Sequence, residues 1–399
     1  MPRVFTSSLI QQIVITILGI LKIRLLFASH SVEFVGHFFV LAGLFYICMI
    51  VFDSTRKGIL TREGNLSSFN SREILKIALT NSIILLCIEC GFSLFVTYFV
   101  SPKTPGTALS LLVISLIVQV QAVSTISLAL YTLTSGFAKA NLLVTALAIL
   151  FFPFFAISCK YLDLSGILFA NFAANMAPGI VAIPIIFKAK IVNTMANNQP
   201  DSNRYWKFRL IQFSENTANS LNSPMIGSRL GLSAVGEYSV MSKFALLYDF
   251  VPIALFPFMI KNQNILIRKK SFNLQLLLWT NAIIITIFSL LFYYPIISFL
   301  SDNKLKNPII SVLPYLLAGS IVSITSYPIQ RSVSDSILGL RARVSIWMLA
   351  TNISMTWIFL PIFGASVAYT MTGFTTALYA GILARYNTNQ IRQEGTDEP

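Results

Sequence analysis

The stretch "YWKFRLIQFSENTANSLNSPMIGSRLGLSAVGEYSVMSKFALLYDFVPIALFPFMI" (residues 205–260) decides the fold of this chain. It reads as two hydrophobic helices joined by a short turn. On a helix of 3.6 residues per turn, the polar side chains of the first helix fall near one face: Gln212, Glu215, Asn216, Asn219, Asn222 and Ser223. The second helix places Lys243 and Asp249 among aromatic residues. Lipid does not tolerate this polarity, so we predict that the pair walls a polar pathway through a membrane.

The composition of the chain predicts lipid as its main solvent. The chain has 399 residues, of which 55% are hydrophobic and 11% charged, and its mean hydropathy is +0.73. A soluble protein carries about 25% charged residues. The net charge of +14 comes from basic residues in loops between apolar runs, so membrane orientation explains it better than a nucleic-acid partner does. We expect no cofactor, because the sequence has no phosphate-binding loop, and the C-x-x-C at Cys87 and Cys90 lacks further metal ligands.

About twelve apolar runs are long enough to span a bilayer. They lie near residues 8–28, 36–53, 74–100, 107–133, 141–159, 164–188, 208–230, 237–260, 272–300, 308–330, 344–363 and 366–385. With alternating spans and the N-terminus inside, most of the 29 basic residues fall on the inner side. The outer side receives only Lys103, Lys160, Arg229, Lys304 and Lys306. This asymmetry predicts a multi-pass protein with both termini in the cytoplasm.

An internal repeat divides the chain into two halves. Val35-Gly36-His37-Phe38-Phe39-Val40 recurs 200 residues later as Val235-Gly236-Glu237-Tyr238-Ser239-Val240, and Gly136 to Lys139 has a weaker echo at Gly339 to Arg341. Each half has an even number of spans, so the copies share one orientation. The sequence therefore predicts an all-α membrane protein with two six-helix bundles related by a parallel pseudo-two-fold axis. The predicted parts are an N-terminal half (1–190), a cytoplasmic linker (191–207) and a C-terminal half (208–399).

Two motifs resemble a known family. The run "SVEFVGHFFVLAGLFYICMIVFD" followed by "STRKGILTREGN" resembles the second span of polysaccharide (O-antigen) flippases in the MATE-like exporter superfamily. Those proteins often carry Asp-x-Gly there and an Arg nine residues after the Asp. Asp53 and Arg62 keep that spacing, although Thr55 replaces the Gly. Residues 227–244 resemble the same family's turn between the seventh and eighth spans.

This resemblance implies a function and a location. It implies transfer of an oligosaccharide linked to polyprenyl pyrophosphate from the cytoplasmic to the outer leaflet of a bacterial inner membrane. The first, second, seventh and eighth spans would line a cavity that opens to alternate sides. The implied partners are the lipid-linked substrate, membrane lipids, a polysaccharide polymerase or chain-length machinery, and H⁺ or Na⁺ as a coupling ion. We find no catalytic arrangement and no nucleic-acid site, so we expect a transporter and not an enzyme.

Charged and polar residues inside the predicted spans are the candidate site. Charges in a bilayer cost about 2.5–3.5 kcal/mol each, so they persist where they pair, reach the interface or line water. We assign substrate binding to cationic and amide side chains: Lys22, Arg24, Arg56, Gln212, Asn216, Asn219, Asn222 and Lys243. Lys22 and Arg24 project about 200° apart, so both cannot face one cavity. We assign ion coupling to the acidic residues Glu89, Glu215 and Asp249.

Each assignment has a structural alternative. The polar face of the seventh span would suit a sugar path, or it would form a polar seam between helices. Glu89 would be a hydrogen-bonded structural carboxyl, and Arg56 would only obey the positive-inside rule. The whole chain has two functional alternatives, a multidrug or cation antiporter of the same superfamily and a membrane-embedded glycosyltransferase. Interior cations favour an anionic ligand over a cationic drug, and short outer loops argue against the glycosyltransferase.

Overall fold

The structure is a computed structural model, and it describes residues 2–61, 71–100, 107–188, 202–252, 271–305, 309–331 and 335–396. The first half contains six helices. They are α1 (Pro2–Ser29), α2 (Val32–Thr61), α3 (Ser71–Phe95, with a final π-helical turn Val96–Val100), α4 (Thr107–Ser135), α5 (Phe137–Tyr161) and α6 (Leu164–Lys188).

Six further helices form the second half of the described chain. They are α7 (Ser202–Leu230), α8 (Leu232–Leu246), α9 (Ser271–Ser301), α10 (Ile309–Arg331), α11 (Asp335–Phe363) and α12 (Ser366–Thr396). The predicted all-α fold is confirmed. The linker 191–207 stays a prediction, because residues 189–201 lie outside the described part and α7 already begins at Ser202.

Ten of these helices are long and apolar enough to cross a membrane. The surface fits this interpretation, since large apolar side chains such as Trp347, Leu291 and Ile310 are 70% exposed or more. Polar side chains such as Ser110, Asn222 and Asn352 are buried instead. A surface of this kind is stable in lipid, whereas in water it would be an aggregation liability. The chain is therefore a multi-pass membrane protein.

Helices α7 and α8 form the pair in the stretch quoted first. They are the two described helices that lack the combination of length and hydropathy needed to cross a membrane. Helix α7 is rich in polar and charged residues, and α8 is helical for only 15 residues before a 3₁₀ turn over Leu247–Asp249. Much of this pair faces protein, because α7 packs on α2 and α11 while α8 packs on α2 and α10. Neighbouring helices thus supply the environment that the composition of α7 requires.

Packing within the first half recurs within the second half with a shift of six helices. In the first half, α1 packs on α5, α2 on α4, α4 on α6 and α5 on α6. In the second half, α7 packs on α11, α8 on α10, α10 on α12 and α11 on α12. This correspondence is the structural form of the sequence repeat. It confirms two six-helix bundles in a parallel arrangement.

The repeated Val-Gly motifs meet where the halves cross. A Cβ atom on Gly36 would lie 1.8 Å from the carbonyl oxygen of Leu232 and 3.1 Å from the nitrogen of Gly236. A Cβ atom on Gly236 would lie 2.4 Å from the carbonyl oxygen of Val32. Both glycines are required because the backbones of α2 and α8 touch here, as small residues permit in membrane bundles. The motif found by its 200-residue offset therefore marks the crossing of the two halves, at the predicted outer end.

Candidate functional site

Lys22 lies inside the first half. Its ammonium nitrogen donates a hydrogen bond to the Oδ1 atom of Asn171 on α6, 3.0 Å away, and stands 5.1 Å from the ring centre of Phe155 on α5. The Tyr46 hydroxyl from α2 lies close to the same Asn171 side chain. Lys22 has no carboxylate partner among the described residues, so its charge is held by an amide dipole and an aromatic face. We call Lys22, Asn171, Tyr46 and Phe155 the N-half pocket.

Arg24 points away from the N-half pocket. Its Nη1 donates to the carbonyl oxygen of Phe299 at 2.6 Å, its Nη2 lies 3.4 Å from the Asp302 carboxylate, and its guanidinium covers the Phe299 ring at 4.4 Å. The predicted separation of Lys22 and Arg24 on α1 agrees with these placements. The structure does not bring Arg24 to the interior as a phosphate ligand. It places Arg24 between α1 and α9, where it joins the two halves.

A second contact joins the halves at the same end. The ammonium of Lys304 donates to the carbonyl oxygens of Phe27 and His30, the latter at 2.8 Å. These carbonyls close α1 and lack helical partners, so a cation is a suitable cap. Burial and the Lys304 charge lower the pKa of His30. The neutral ring then donates from Nε2 to the carbonyl oxygen of Cys159, 2.9 Å away.

Lys243 lies inside the bundle on α8. Its ammonium nitrogen stands 5.8 Å from the ring centre of Phe39 on α2. Within the described part of the chain, it has neither a hydrogen bond nor an ion pair. An unpaired interior ammonium is costly in a membrane unless water or an anionic ligand meets it. Lys243 is therefore an interior cation, and the anion-binding role predicted for it stays a prediction.

Asp249 occupies the break in α8. The 3₁₀ turn frees the carbonyl oxygen of Tyr248, which accepts a hydrogen bond from Asn281 on α9 at 3.1 Å. Tyr248 itself fits against Gly319 of α10, where a Cβ atom would come within 2.5 Å of its ring. Irregular backbone inside a membrane bundle is typical of transport sites. Helix α7 runs through Pro224, and the irregular helix of the pair is α8.

Three tyrosines gather beside Asp249, and we call them the C-half tyrosine cluster. Tyr238, Tyr315 and Tyr369 have ring centres 5.7–6.3 Å apart. Asp249 is close enough to Tyr369 to interact with it electrostatically. Asp249 makes no hydrogen bond among the described residues. The sequence did not reveal this cluster, because its formation depends on how α8, α10 and α12 pack.

Glu215 lies in a buried ion pair with Arg341. Arg341 donates to the Oε1 atom of Glu215 from Nη2 at 2.7 Å and from Nε at 3.1 Å, and the Tyr379 hydroxyl donates to the same atom at 2.7 Å. The side chains of Arg341 and Glu215 are 5% and 17% exposed. Glu215 joins α7 to α11 and α12, and Arg341 is a residue that the sequence had indicated only through the weaker echo at Gly339 to Arg341.

The described part of the polar face on α7 is a helix seam. Asn222 is fully buried and donates to the Tyr238 hydroxyl of α8 at 3.1 Å. This favours the alternative of a polar seam over a sugar path for Asn222. The side chains of Gln212, Asn216 and Asn219 lie outside the described ones, as do those of Asp53 and Arg62. Their predicted roles stay predictions.

Glu89 and Arg56 lie apart from these groups. Glu89 of α3 is 5% exposed and accepts a hydrogen bond from Gln119 of α4 at 3.0 Å. Arg56 is half-buried near the inner end of α2. Glu89 therefore stands outside both the N-half pocket and the C-half tyrosine cluster, so any coupling role must act through α3 and α4.

No family model and no curated protein matches this chain. Solved structures do match it over nearly its whole length. The lipid II flippase MurJ in an inward closed conformation aligns with a TM-score of 0.68 at 14% identity, covering 96% of this chain and 87% of MurJ. An outward-facing MATE-family multidrug transporter of the MOP superfamily aligns with a TM-score of 0.65 at 13% identity, covering 99% of this chain and 96% of the transporter.

A third match shows that this fold hosts binding pockets of differing polarity. A MOP superfamily transporter from Pyrococcus furiosus, described as having a binding pocket of reversed polarity, aligns with a TM-score of 0.59 at 13% identity, covering 98% of this chain and 95% of that one. All three are transporters or flippases and not enzymes. At these identities the likeness establishes architecture alone. The chain has the fold that MATE-type transporters of the MOP superfamily share with the lipid II flippase MurJ.

Proposed function

We propose that this protein transfers an oligosaccharide linked to polyprenyl pyrophosphate between membrane leaflets by alternating access. The observation that carries the proposal is the pair of interior ammonium groups, Lys22 and Lys243, one in each half. Neither has a carboxylate partner among the described residues. A pyrophosphate supplies the anionic charge that such groups require inside a membrane. The flippase fold of MurJ supports this proposal, and so does the resemblance found in the sequence.

The proposal includes location and partners. The excess of basic residues in the predicted inner loops supports an orientation with both termini in the cytoplasm. A bacterial inner membrane, a polysaccharide polymerase that consumes the product, and H⁺ or Na⁺ as the coupling ion follow from the same resemblance. Depletion of the protein in its native cell, followed by location of the lipid-linked glycan, tests these assignments. Loss of the protein should leave the lipid-linked glycan on the cytoplasmic face of the membrane.

Reconstitution tests the proposal directly. Proteoliposomes would carry a fluorescent oligosaccharide on polyprenyl pyrophosphate, and a membrane-impermeant quencher would report its leaflet. A charged hydrogen bond contributes about 1.5–3 kcal/mol, so Lys22→Ala and Lys243→Ala should each slow transfer by roughly tenfold or more. Lys160→Ala is the matched control, because this exposed lysine lies over Tyr161 at the end of α5. Normal transfer by both interior variants would refute the proposed site.

A second candidate function is export of cationic compounds. The C-half tyrosine cluster beside Asp249 favours it, since aromatic faces and a carboxylate attract organic cations. The discriminating measurement is ethidium efflux from the same proteoliposomes under a pH gradient. Efflux that depends on Asp249, without transfer of the lipid-linked sugar, would establish this function in place of the first.

A further inference from the structure

A groove between α3 and α4 opens on the side of the bundle, away from the interior cations. Its cavity has a volume of about 690 Å³. The polar side chains that line it are Thr97, Thr107, Ser93, Ser115, Glu89 and Gln119. The remaining lining is apolar, and Leu86, Leu112 and Leu116 are each more than half exposed at its rim.

The polar side chains run in order along the groove. On α3, Glu89, Ser93 and Thr97 are spaced four apart and fall on one face, while Thr107 and Ser115 follow the antiparallel helix α4. Thr97 and Thr107 lie at the outer end, where α3 leads into α4. Glu89 lies eight residues deeper, about 12 Å along the helix axis. The groove is thus a polar track that ends at a carboxyl group.

Beyond Glu89 the polar track stops. A smaller cavity of about 310 Å³ shares Gln119 and continues inward between α4 and α6. Apart from Gln119, its lining is apolar except for Ser124, whose hydroxyl already donates to the carbonyl oxygen of Met176 at 2.8 Å. The polar access to Glu89 is therefore one-sided, from the predicted outer end.

The groups that face Glu89 leave it free to exchange a proton. Gln119 donates to its Oε1 atom at 3.0 Å, and the hydroxyl of Ser115 lies close to it. The thiol of Cys48 on α2 is close enough to Glu89 to interact with it electrostatically. At the outer end of the groove, the Nε2 atom of His37 lies 3.4 Å from the hydroxyl oxygen of Thr107. No lysine or arginine of the described residues pairs with Glu89. A carboxyl with neutral hydrogen-bond partners can hold or release a proton without breaking an ion pair.

We propose that the α3–α4 groove is a water-filled half-channel that delivers protons from the outer side to Glu89. Polar side chains that face lipid without water would be unsatisfied, and the cavity has room for on the order of twenty waters. Water and hydroxyl groups would relay the proton, and Glu89 would hold it. The inference goes beyond the proposed function and does not require it, because its tests need no transported substrate.

Cysteine labelling tests whether the groove is wet. In a background with Cys87→Ser and Cys90→Ser, Ser93→Cys and Ser115→Cys should react with a membrane-impermeant charged thiol reagent added outside. The control is Leu94→Cys, because Leu94 is 59% exposed but does not line the groove. It should not react, since it faces lipid. If the cysteines at positions 93, 115 and 94 all fail to react with the reagent, the groove is not reached by water from outside, and the half-channel is refuted.

Infrared spectroscopy tests whether Glu89 is the proton site. The difference between wild type and Glu89→Gln should contain a carboxylic acid band that disappears as the outer pH is raised. Glu89→Asp keeps the acid and should keep a titrating band. A wet groove with no band that responds to outer pH would overturn the assignment of Glu89. Since neither measurement uses the lipid-linked sugar, failure here leaves the proposed function standing.

Discussion

The two halves carry polar contacts of different chemistry between their first and fifth helices. In the first half, Asn141 of α5 donates to the hydroxyls of Ser8 and Ser7 on α1, at 2.9 and 3.3 Å. In the second half, Arg341 of α11 pairs with Glu215 of α7 at 2.7 Å. The helix pairs α1–α5 and α7–α11 are equivalent in the repeat, and Arg341 lies 200 residues after Asn141, the same offset that separates the two Val-Gly motifs.

This difference shows that one position in the fold tolerates either a neutral or an ionic contact. What both halves keep is a polar link between the first and fifth helices of each bundle. The ionic version costs desolvation of two charges and is stable only while both partners remain. The neutral version contributes less, and its removal leaves no orphaned charge. The comparison therefore assigns Glu215 a structural role before any role in ion coupling.

The largest expected effect comes from breaking the ion pair on one side. Arg341→Ala leaves the Glu215 carboxylate buried without its cation, which typically costs about 3–5 kcal/mol of stability. Unfolding in detergent micelles, followed by circular dichroism, would measure this loss. The double variant Glu215→Gln with Arg341→Gln removes both charges together and should recover most of the stability. A double variant as unstable as Arg341→Ala would show that the loss does not come from leaving one charge of the ion pair uncompensated.

The second effect concerns the crossing that both halves share. Gly36→Ala places a methyl group against the backbone of Leu232, which cannot move without shifting α8. Overpacking of this kind costs about 1–3 kcal/mol, and the yield of monodisperse protein in size-exclusion chromatography should fall. Gly19→Ala is the control, because nothing lies within 4 Å of its added carbon. Equal yields for the two variants would contradict the close crossing.

A smaller effect is expected from the neutral link. Asn141→Ala removes hydrogen bonds between uncharged groups, which contribute about 1 kcal/mol. Its unfolding midpoint in detergent should fall by clearly less than that of Arg341→Ala. If Asn141→Ala were the more damaging of the two, the neutral link and not the ion pair would be the stronger tie.

The smallest effect concerns the contact of Arg24 with Asp302. Both side chains are more than a third exposed, so the pair contributes about 0.2–1 kcal/mol. Arg24→Asp and Asp302→Arg should each lower the unfolding midpoint slightly, and the two together should restore part of the loss. Transfer of the lipid-linked substrate should follow stability only. If Arg24→Asp lost transfer and Asp302→Arg did not restore it, Arg24 would be a substrate-binding residue after all.

Much of the fold was predictable because lipid enforces it. Apolar runs, basic loops and the repeated Val-Gly motif predicted the helices, their alternation and the pairing of the halves, and the structure confirms the two bundles. The candidate site was predictable as a set of residue types and not as a set of neighbours. Lys22 and Arg24 differ by two positions, yet one lies against α5 and α6 and the other against α9.

The sequence by itself determined which side chains must find partners inside the membrane, because hydrocarbon offers none to Lys22, Glu89, Glu215, Lys243 or Asp249. Only the tertiary structure decided which residues those partners are. Helical periodicity places a residue on a face, but the helix opposite that face is chosen by packing across the bundle. Glu215 meets Arg341 at a distance of 126 residues along the chain, and Glu89 meets Gln119 at 30. The α7–α8 stretch can be polar because much of it faces protein, and that environment is a property of the assembled fold.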